Sequence, residues 1–375
     1  MVMLMYEKDT VLIIGEGENA YESAISPPIF QTSTFGGGNE YSYTRLSNPT
    51  RSALCKTVAL LEQGKYGFAF SSGLAAVNAV FSLLSSGDKV VLSDDLYGGT
   101  YRMAATVFQS YGITPVFADL SSAGSLSKVL DKQVKAVFAE SPTNPMMKVS
   151  PLAELASVCK NAGVMLIVDN TFLTPIFQNP LALGADIVIH SATKYLSGHH
   201  DTVAGIAVTD KEKIAERLGY ISSTLGNALS PFDSWLVLRG IRTLGMRMEK
   251  HQENAFAVAE FLKTRKEIGQ VIYPGLREHS GYETSIKQSS GFGGVISFTV
   301  RDGEVLDRLL KKGKIIRFAE SLGGFRSLIT YPLTQTHASI PREMRERIGI
   351  TDKLLRLSVG LENKKDIIAD IEQCL

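Results

Sequence analysis

Between about residues 51 and 210, short β-branched apolar runs alternate regularly with helix-like stretches. The strand-like runs are Lys89–Ser93, Val134–Glu140, Val164–Asp169, Asp186–His190 and Val203–Val208. The helix-like stretches include Arg51–Glu62, Leu74–Leu84, Thr100–Tyr111 and Leu152–Ala162. This alternation predicts an α/β fold with a mostly parallel sheet covered by helices on both faces. Ligands of such sheets bind beyond the carboxyl ends of the strands, so polar residues there are candidate site residues.

The 375 residues are enough for two domains. Residues 1–50 contain turn-forming proline and glycine together with large apolar side chains, which predicts an arm contacting a neighbouring subunit. Residues 51–230 form the predicted large domain, and the pattern changes near Ser230-Pro231. Beyond it, helical stretches and three strand candidates predict a smaller α+β domain over 231–375: Asp233–Thr243, Met246–Arg265, Gly293–Val300, Ser327–Tyr331 and Leu354–Val359.

Charge and cysteine content exclude several classes of function. The net charge is +1 with no basic stripe, so nothing indicates nucleic-acid or anionic-membrane binding. Cys55, Cys159 and Cys374 are far apart in sequence, which argues against a disulfide framework or a zinc site and predicts no metal. No run has the length of a membrane span and the first residues do not resemble a signal peptide, so we expect a cytoplasmic protein.

Lys194 follows the run Asp186–His190, with the hydroxyls of Ser191 and Thr193 beside it. Burying an ammonium is costly, and a lysine at such a site tends to lose its proton. An uncharged lysine amine can form a Schiff base with an aldehyde. The alternative is an ordinary surface lysine at a strand end, and the choice depends on the residues near it.

Asp169 ends another predicted strand and precedes Lys194 by 25 residues, about one strand–helix–strand repeat. The two side chains can therefore face the same crevice. They could form a direct ion pair. They could instead hold a ring between them, with Asp169 on a protonated pyridine nitrogen and Lys194 bonded to an aldehyde. Pyridoxal phosphate (PLP) enzymes require the second arrangement.

A phosphate site is predicted where Ser72 and Gly73 lead into the helix-like stretch at Leu74. Free backbone N–H groups and the helix dipole favour an anion there, although a serine N-cap is also a common structural device. Ser191 and Thr193 would add hydroxyl donors.

Three further segments carry candidate site residues. Arg45 and Tyr43 lie in the predicted arm, so they could complete the site of a neighbouring subunit, or be surface residues. Asn144 lies in a turn fixed by Pro142 and Pro145 and could bind a ring oxygen. Tyr97 follows the strand Lys89–Ser93 and could stack on a flat cofactor or pack beneath a loop.

Taken in order, these motifs resemble the trans-sulfuration (Cys/Met metabolism) family of fold-type-I PLP enzymes from about residue 24 to the C-terminus. The matching segments are Thr44-Arg45, Asn48-Pro49-Thr50, Ser72-Gly73, Tyr97-Gly98-Gly99, Glu140-Ser141-Pro142-Thr143-Asn144-Pro145, Val168-Asp169-Asn170-Thr171, His190-Ser191-Ala192-Thr193-Lys194-Tyr195, Glu320-Ser321-Leu322-Gly323-Gly324, Thr336-His337-Ala338-Ser339 and Arg356-Leu357-Ser358-Val359-Gly360.

The resemblance implies a role for each site residue. Lys194 would bind the cofactor aldehyde as an aldimine and shuttle protons, Asp169 would bind the pyridine nitrogen, and Tyr97 would stack on the ring and act near the sulfur. The phosphate would be held by Ser72, Gly73, Leu74, Ser191 and Thr193, with Tyr43 and Arg45 of the adjacent subunit. Arg356 would clamp the substrate carboxylate with Asn144 and the Ser321 backbone. The family forms homotetramers built from pairs of active dimers.

Within this family, cleavage of the C–S bond of cystathionine by a β- or γ-lyase is the favoured activity. Glu320 resembles the acid that faces the distal ammonium of cystathionine, and Phe232–Leu236 resembles the bacterial lyases. The alternatives are γ-replacement, as in cystathionine γ-synthase and O-acetylhomoserine sulfhydrylase, and methionine γ-lyase, which is disfavoured because Thr100 stands where those enzymes carry Cys. His200 and Arg326 depart from the family pattern and bear on specificity.

Two alternative interpretations of the sequence compete with that of a PLP enzyme. Leu12–Ala20 mimics a strand entering a Gly-x-Gly-x-x-Ala dinucleotide turn, but Pro27 and Pro28 prevent the long helix that should follow, and Glu16 and Glu18 would face a pyrophosphate. A non-catalytic protein with a PLP-enzyme fold is the second reading. It is disfavoured because a scaffold without chemistry has no need of a buried lysine.

Overall fold

The computed structural model describes residues 6–15, 24–37 and 40–375. In this part of the chain a seven-stranded sheet comprises β1 Tyr66–Phe70, β2 Lys89–Ser93, β3 Thr114–Ala118, β4 Val134–Glu140, β5 Met165–Asp169, β6 Ile187–Ser191 and β7 Gly205–Thr209. A five-stranded sheet comprises β8 Ile268–Ile272, β9 Val295–Val300, β10 Arg317–Phe318, β11 Leu328–Thr330 and β12 Leu354–Ser358.

Fourteen α-helices lie within the described residues, and one π-helix, Met103–Phe108, follows the fourth directly. They are α1 Lys8–Ile14, α2 Pro49–Leu61, α3 Gly73–Phe81, α4 Gly98–Arg102, α5 Ala123–Val129, α6 Leu152–Ala162, α7 Thr174–Phe177, α8 Glu212–Leu225, α9 Pro231–Ile241, α10 Leu244–Lys263, α11 Tyr282–Gln288, α12 Gly303–Lys311, α13 Arg342–Ile348 and α14 Lys364–Glu372. None of these helices combines the length and the apolar character needed to cross a bilayer.

The larger sheet has the strand order β1-β7-β6-β5-β4-β2-β3. Strand β7 runs in the direction opposite to all the other strands. The central strands of this sheet consist mainly of apolar residues up to their carboxyl ends, because helices cover both faces. Leu92 and Ile167 enter the core on one face, while Val91 and Val168 enter the core on the other. The prediction of an α/β fold with a mostly parallel sheet is confirmed.

The smaller sheet has the order β10-β11-β12-β9-β8 and is antiparallel except for the β10–β11 pair. Helices α10, α12 and α14 contribute to the apolar cluster that covers it. Its central strand β12 lies between β11 and β9 and carries Arg356. Helix α9, which begins at Pro231, packs against α2 of the predicted large domain. The boundaries 51–230 and 231–375 remain a prediction.

Strands β1 and β3 were absent from the sequence prediction. Both are edge strands of the larger sheet. An edge strand is less buried than a central one, so it needs no continuous apolar run, and β3 contains Pro115, which an edge strand tolerates. The helix predicted over Thr100–Tyr111 is also different, because it divides between α4 and the π-helix.

Within the described part of the N-terminal segment, Lys8–Ile14 forms a helix that was not predicted. Val11 and Leu12 of α1 are buried, and α1 packs against α2 and α10 of its own chain. Lys8 anchors the helix, because its Nζ donates to Asn179 Oδ1 at 2.6 Å. Since Lys8–Ile14 is helical, the strand that a dinucleotide motif would require is not formed, and the rest of that motif, residues 16–20, lies outside the described residues.

Gly205 allows the turn after β1 to approach β7. A Cβ atom at this position would lie 2.0 Å from the Ser72 carbonyl oxygen. We therefore expect Gly205→Ala to lower the free energy of unfolding by about 1–3 kcal/mol, since backbone would have to move. The matched control is Gly303→Ala, where a Cβ meets no atom within 4 Å, and its effect should stay within about 0.5 kcal/mol. Urea denaturation of both variants tests the expectation, and equal midpoints would contradict it.

Candidate active site

A cavity of about 230 Å³ lies beyond the carboxyl ends of β4, β5 and β6, where a mostly parallel sheet is expected to bind its ligand. The loop at Glu320–Leu322 and Arg356 of β12 also line it. Most of the predicted site residues line this cavity: Ser72, Gly73, Leu74, Tyr97, Asn144, Asp169, Ser191, Thr193, Lys194, Glu320, Ser321 and Arg356. The cavity therefore joins residues from both sheets.

Lys194 lies just after β6, and its Nζ donates a hydrogen bond to Ser321 Oγ at 2.8 Å. Burial lowers the pKa of Lys194 to about 8, and the positive charge of Arg356 acts in the same direction against the opposing charge of Glu320. At pH 8 about half of these amines would be uncharged. The amine is therefore a nucleophile near neutral pH.

Asp169 ends β5, and its Oδ1 accepts a hydrogen bond from the Thr171 backbone at 2.9 Å. Within the described part of the chain Asp169 and Lys194 form hydrogen bonds to other partners and no ion pair with each other, so the direct ion pair considered in the sequence analysis is not formed. Burial raises the pKa of Asp169, while the hydrogen bonds from Thr171 oppose that rise. A carboxyl that faces the cavity and forms no ion pair within the described part of the chain suits a protonated ring nitrogen.

Glu140 is a site residue that the sequence analysis did not single out. It ends β4 directly opposite Asp169 in the strand pairing, and it lines the cavity. Burial raises the pKa of Glu140 well above its ordinary value, and the nearby Asp169 carboxylate adds to the effect. The argument that identified Asp169, an acid that closes a buried strand, applies equally to Glu140 and could have found it.

The N-terminus of α3 lies at the cavity, where the sequence predicts a phosphate site. Ser72 Oγ accepts from Ala75 N at 3.0 Å, which leaves the first N–H groups of the helix to a ligand. A Cβ at Gly73 would lie 2.9 Å from Ser191 Cβ, so the helix end and the end of β6 are in close contact. The Thr193 hydroxyl already bonds the Ala204 carbonyl at 3.2 Å and the Ala204 N–H at 3.0 Å. Ser191 is therefore the better placed hydroxyl donor.

Arg356 is a buried cation whose hydrogen-bond partners are all neutral. Its Nη1 donates to Asn144 Oδ1 at 2.8 Å, and its Nη2 donates to the Ser321 carbonyl and to Thr330 Oγ1, both at 3.0 Å. Its Nε has no partner in the described chain. Burial lowers the pKa of Arg356 to about 10, so it remains charged at neutral pH. A buried guanidinium without a carboxylate suits a carboxylate ligand.

Tyr97 precedes α4, and its ring lies over the backbone of Gly99, where a Cβ would be 2.4 Å from Tyr97 Cε1. Its backbone N–H donates to Glu140 Oε2 at 3.0 Å. Ser321 has a φ of +90°, a strained conformation for a residue with a side chain, and such strain is concentrated at functional sites. Thr171 and Thr336 also line the cavity, and neither was predicted as a site residue.

Tyr43 and Arg45 do not line the cavity of their own chain. The Arg45 guanidinium lies 5.5 Å from the centre of the Tyr43 ring and donates to the Ser223 carbonyl. Their role in a neighbouring subunit remains a prediction. His200 and Arg326 are also outside the cavity lining, and the His200 ring lies against Gly324.

The donor set fits pyridoxal phosphate. Each chemical part of that cofactor has a matching group: Lys194 for the aldehyde, Asp169 for the ring nitrogen, and the N-terminus of α3 with Ser191 for the phosphate. The sheet and the cavity thus define an α/β enzyme that binds PLP.

Comparison with known proteins agrees with this class. The family model for Cys/Met metabolism PLP-dependent enzymes matches residues 9–375. The chain is 49% identical over 357 residues to cystathionine gamma-lyase of Bacillus subtilis, covering 94% of both chains. It is 47% identical over 373 residues to cystathionine beta-lyase of Lactococcus lactis subsp. cremoris, covering 98% of both chains. The protein therefore belongs to the Cys/Met metabolism family of PLP-dependent enzymes, and the resemblance found in its sequence is confirmed.

A solved structure gives the same result for the fold. Cystathionine gamma-lyase from Lactobacillus plantarum, complexed with L-serine, has a TM-score of 0.96 and 40% sequence identity, and the match covers 98% of both chains. The prediction of a fold-type-I PLP enzyme with a mixed sheet is confirmed.

The lowered pKa of Lys194 can be measured directly in the apoenzyme. Competitive labelling with an amine reagent, followed by peptide mass spectrometry, should give half-maximal reactivity of Lys194 near pH 8. Lys148 is the internal comparison, because its hydrogen bond and charge pairing with Asp94 outweigh burial and raise its pKa. Lys148 should therefore stay largely unlabelled over the same pH range. Reactivity of Lys194 that develops only above pH 10 would show that the cavity does not favour the neutral amine.

Proposed function

We propose that this enzyme cleaves the C–S bond of cystathionine or a related sulfur amino acid by elimination. The observation that carries the proposal is a lysine of lowered pKa that shares one cavity with the Asp169 carboxyl and the Arg356 guanidinium, neither of which is ion-paired within the described part of the chain. That arrangement suits an amino-acid substrate with one α-carboxylate. The lyase names of its relatives support the sulfur amino acid.

PLP, when bound, withdraws electrons from the substrate Cα through its protonated ring and makes the Cα proton acidic. In our proposal Asp169 would keep the ring nitrogen protonated, and Asn144 and Tyr97 would contact the ring. The first N–H groups of α3, those of Gly73 and Leu74, would hold the phosphate together with the hydroxyls of Ser72 and Ser191. Thr193 would join them only when its hydroxyl turned away from the Ala204 carbonyl.

The substrate carboxylate would bind Arg356, assisted by Asn144 and the Ser321 backbone. Lys194 Nζ, held by the Ser321 hydroxyl at 2.8 Å, would then take the proton from Cα as its general base. Tyr97 would deliver a proton to the departing sulfur. Glu320 is exposed where it lines the cavity and would face the distal ammonium of cystathionine.

We also propose that the protein is a cytoplasmic homotetramer built from two active dimers. Tyr43 is exposed and lies outside its own cavity, which supports contact of the arm with a neighbouring site. Arg45 beside it would add a positive charge to the phosphate of that neighbour. The buried thiols Cys159 and Cys374 are unpaired, which fits a reducing compartment.

Incubation with cystathionine tests the proposed activity. Cleavage on one side of the sulfur yields homocysteine, pyruvate and ammonia, and cleavage on the other side yields cysteine, 2-oxobutanoate and ammonia. Either product set supports elimination. Lys194→Ala should lower turnover by about three orders of magnitude or more, because the proton acceptor and the covalent partner are both removed. An enzyme that only makes cystathionine from cysteine and O-acetylhomoserine would contradict the elimination and favour γ-replacement.

Replacing Arg356 by lysine tests the carboxylate site. A point charge cannot reproduce the two-pronged guanidinium, so we expect Arg356→Lys to raise KM on the order of tenfold or more with a smaller change in kcat. Arg301→Lys is the matched control, because Arg301 lies outside the cavity and its Nε donates to the Ile268 carbonyl at 3.1 Å. A KM that responds equally to both substitutions would remove Arg356 from the substrate site.

A further inference from the structure

His337 is completely buried and lies between β11 and α13, outside the cavity lining. Its Nε2 is 3.1 Å from the Leu96 carbonyl oxygen and 2.9 Å from the Asn144 carbonyl oxygen. Its Nδ1 is 2.8 Å from Thr336 Oγ1. All hydrogen-bonding atoms of the ring are therefore engaged.

These contacts fix the tautomer of His337. Carbonyl oxygens only accept hydrogen bonds, so Nε2 must carry the proton and share it between the two carbonyls. In the neutral ring Nδ1 then accepts from the Thr336 hydroxyl. Burial lowers the pKa of His337 to about 4, and the charge of Arg356 also lowers it against the opposing Asn144 carbonyl. The imidazole is thus a neutral donor throughout the range in which the enzyme would work.

The two carbonyls belong to the two loops that shape the cavity. Leu96 immediately precedes Tyr97, whose ring lines the cavity. Asn144 carries the amide oxygen that accepts from Arg356 Nη1 at 2.8 Å. One imidazole, supplied from the C-terminal part of the chain, therefore holds the backbone of two adjacent loops of the site.

The segment that carries His337 also packs closely on the Tyr97 loop. A Cβ at Gly98 would lie 2.0 Å from the Thr336 carbonyl oxygen. A second contact joins the Tyr97 loop to the Asn144 turn, because Asp95 Oδ2 accepts a hydrogen bond from Met146 N at 3.0 Å. His337 adds to this attachment through the Leu96 and Asn144 carbonyls.

We propose that His337 is a positioning residue, which fixes Tyr97 and the Asn144–Arg356 pair relative to each other through a single shared Nε2 proton. The inference rests on the proposed function insofar as these residues meet the cofactor and the substrate carboxylate. It assigns to His337 a role in ligand binding that a purely structural histidine would not have.

Two substitutions of His337 test the contacts of Nε2 and of Nδ1 separately. A glutamine amide reaches about as far as Nε2, so His337→Gln retains donors for the Leu96 and Asn144 carbonyls. An asparagine amide reaches only as far as Nδ1, so His337→Asn retains the Thr336 contact and loses both carbonyls. The matched control is Tyr273→Phe, because the buried Tyr273 hydroxyl donates to the Gly293 carbonyl at 2.9 Å away from the cavity.

Three quantities should be measured on each variant: the melting temperature, the dissociation constant of PLP from the reconstituted apoenzyme, and KM. For His337→Asn we expect the PLP dissociation constant and KM each to rise on the order of tenfold, the loss corresponding to a broken buried hydrogen bond. For His337→Gln we expect changes within about threefold. Tyr273→Phe should lower only the melting temperature.

Two results would overturn the proposal. If His337→Asn lowers the melting temperature like Tyr273→Phe but leaves the PLP dissociation constant and KM unchanged, His337 is only structural. If His337→Gln is as impaired as His337→Asn, the shared Nε2 proton is not the cause. The PLP measurement does not depend on the substrate, so the proposal can survive even where cystathionine is not turned over.

Discussion

Asp169, Lys194 and Arg356 share one cavity without pairing with one another, and the rest of the structure has to sustain this. Asp169 and Arg356 can carry opposite charges and would form an ion pair if they were in contact. Lys194 would likewise pair with a carboxylate within reach. Instead Lys194 bonds a hydroxyl and Arg356 bonds an amide and a carbonyl. Burying unpaired charges is unfavourable by several kcal/mol for each ion. The large apolar cores on both faces of the sheets offset that cost, and the ligands of the site are the natural counter-ions.

The separation of these charges depends on two sheets rather than one. Asp169 and Lys194 follow β5 and β6, which are neighbours in the larger sheet, whereas Arg356 projects from the central strand of the smaller sheet. A rigid strand at each side prevents the side chains from collapsing onto one another. The antiparallel strand β7 helps to shape the site, because its Gly205 allows the N-terminus of α3 to lie close to the end of β6. The fold thus holds apart groups that simple electrostatics would bring together.

Much of this site could be predicted because its residues follow apolar runs in the sequence. Asp169, Lys194 and Asn144 each end or follow a central strand, and the carboxyl ends of parallel strands meet at one edge. The roles of Arg356, Ser321 and Glu320 came only from the resemblance, because nothing local marks a strand of the smaller sheet as part of the site. Edge strands β1 and β3 were missed because partial burial leaves no continuous apolar run. Helix α1 was missed because a short amphipathic helix with Gly15 after it also reads as a strand and a turn.

Glu140, which the sequence analysis did not identify, resembles His337 in one physical property. Burial raises the pKa of Glu140 and lowers the pKa of His337, so in both side chains it disfavours the charged form. Each holds backbone of the cavity loops, Glu140 through the Tyr97 N–H and His337 through two carbonyls. A charged scaffold would compete with the ligand for Asp169 and Arg356. A neutral scaffold fixes the loops by hydrogen bonds alone and leaves the charges of the cavity to the molecules that bind there.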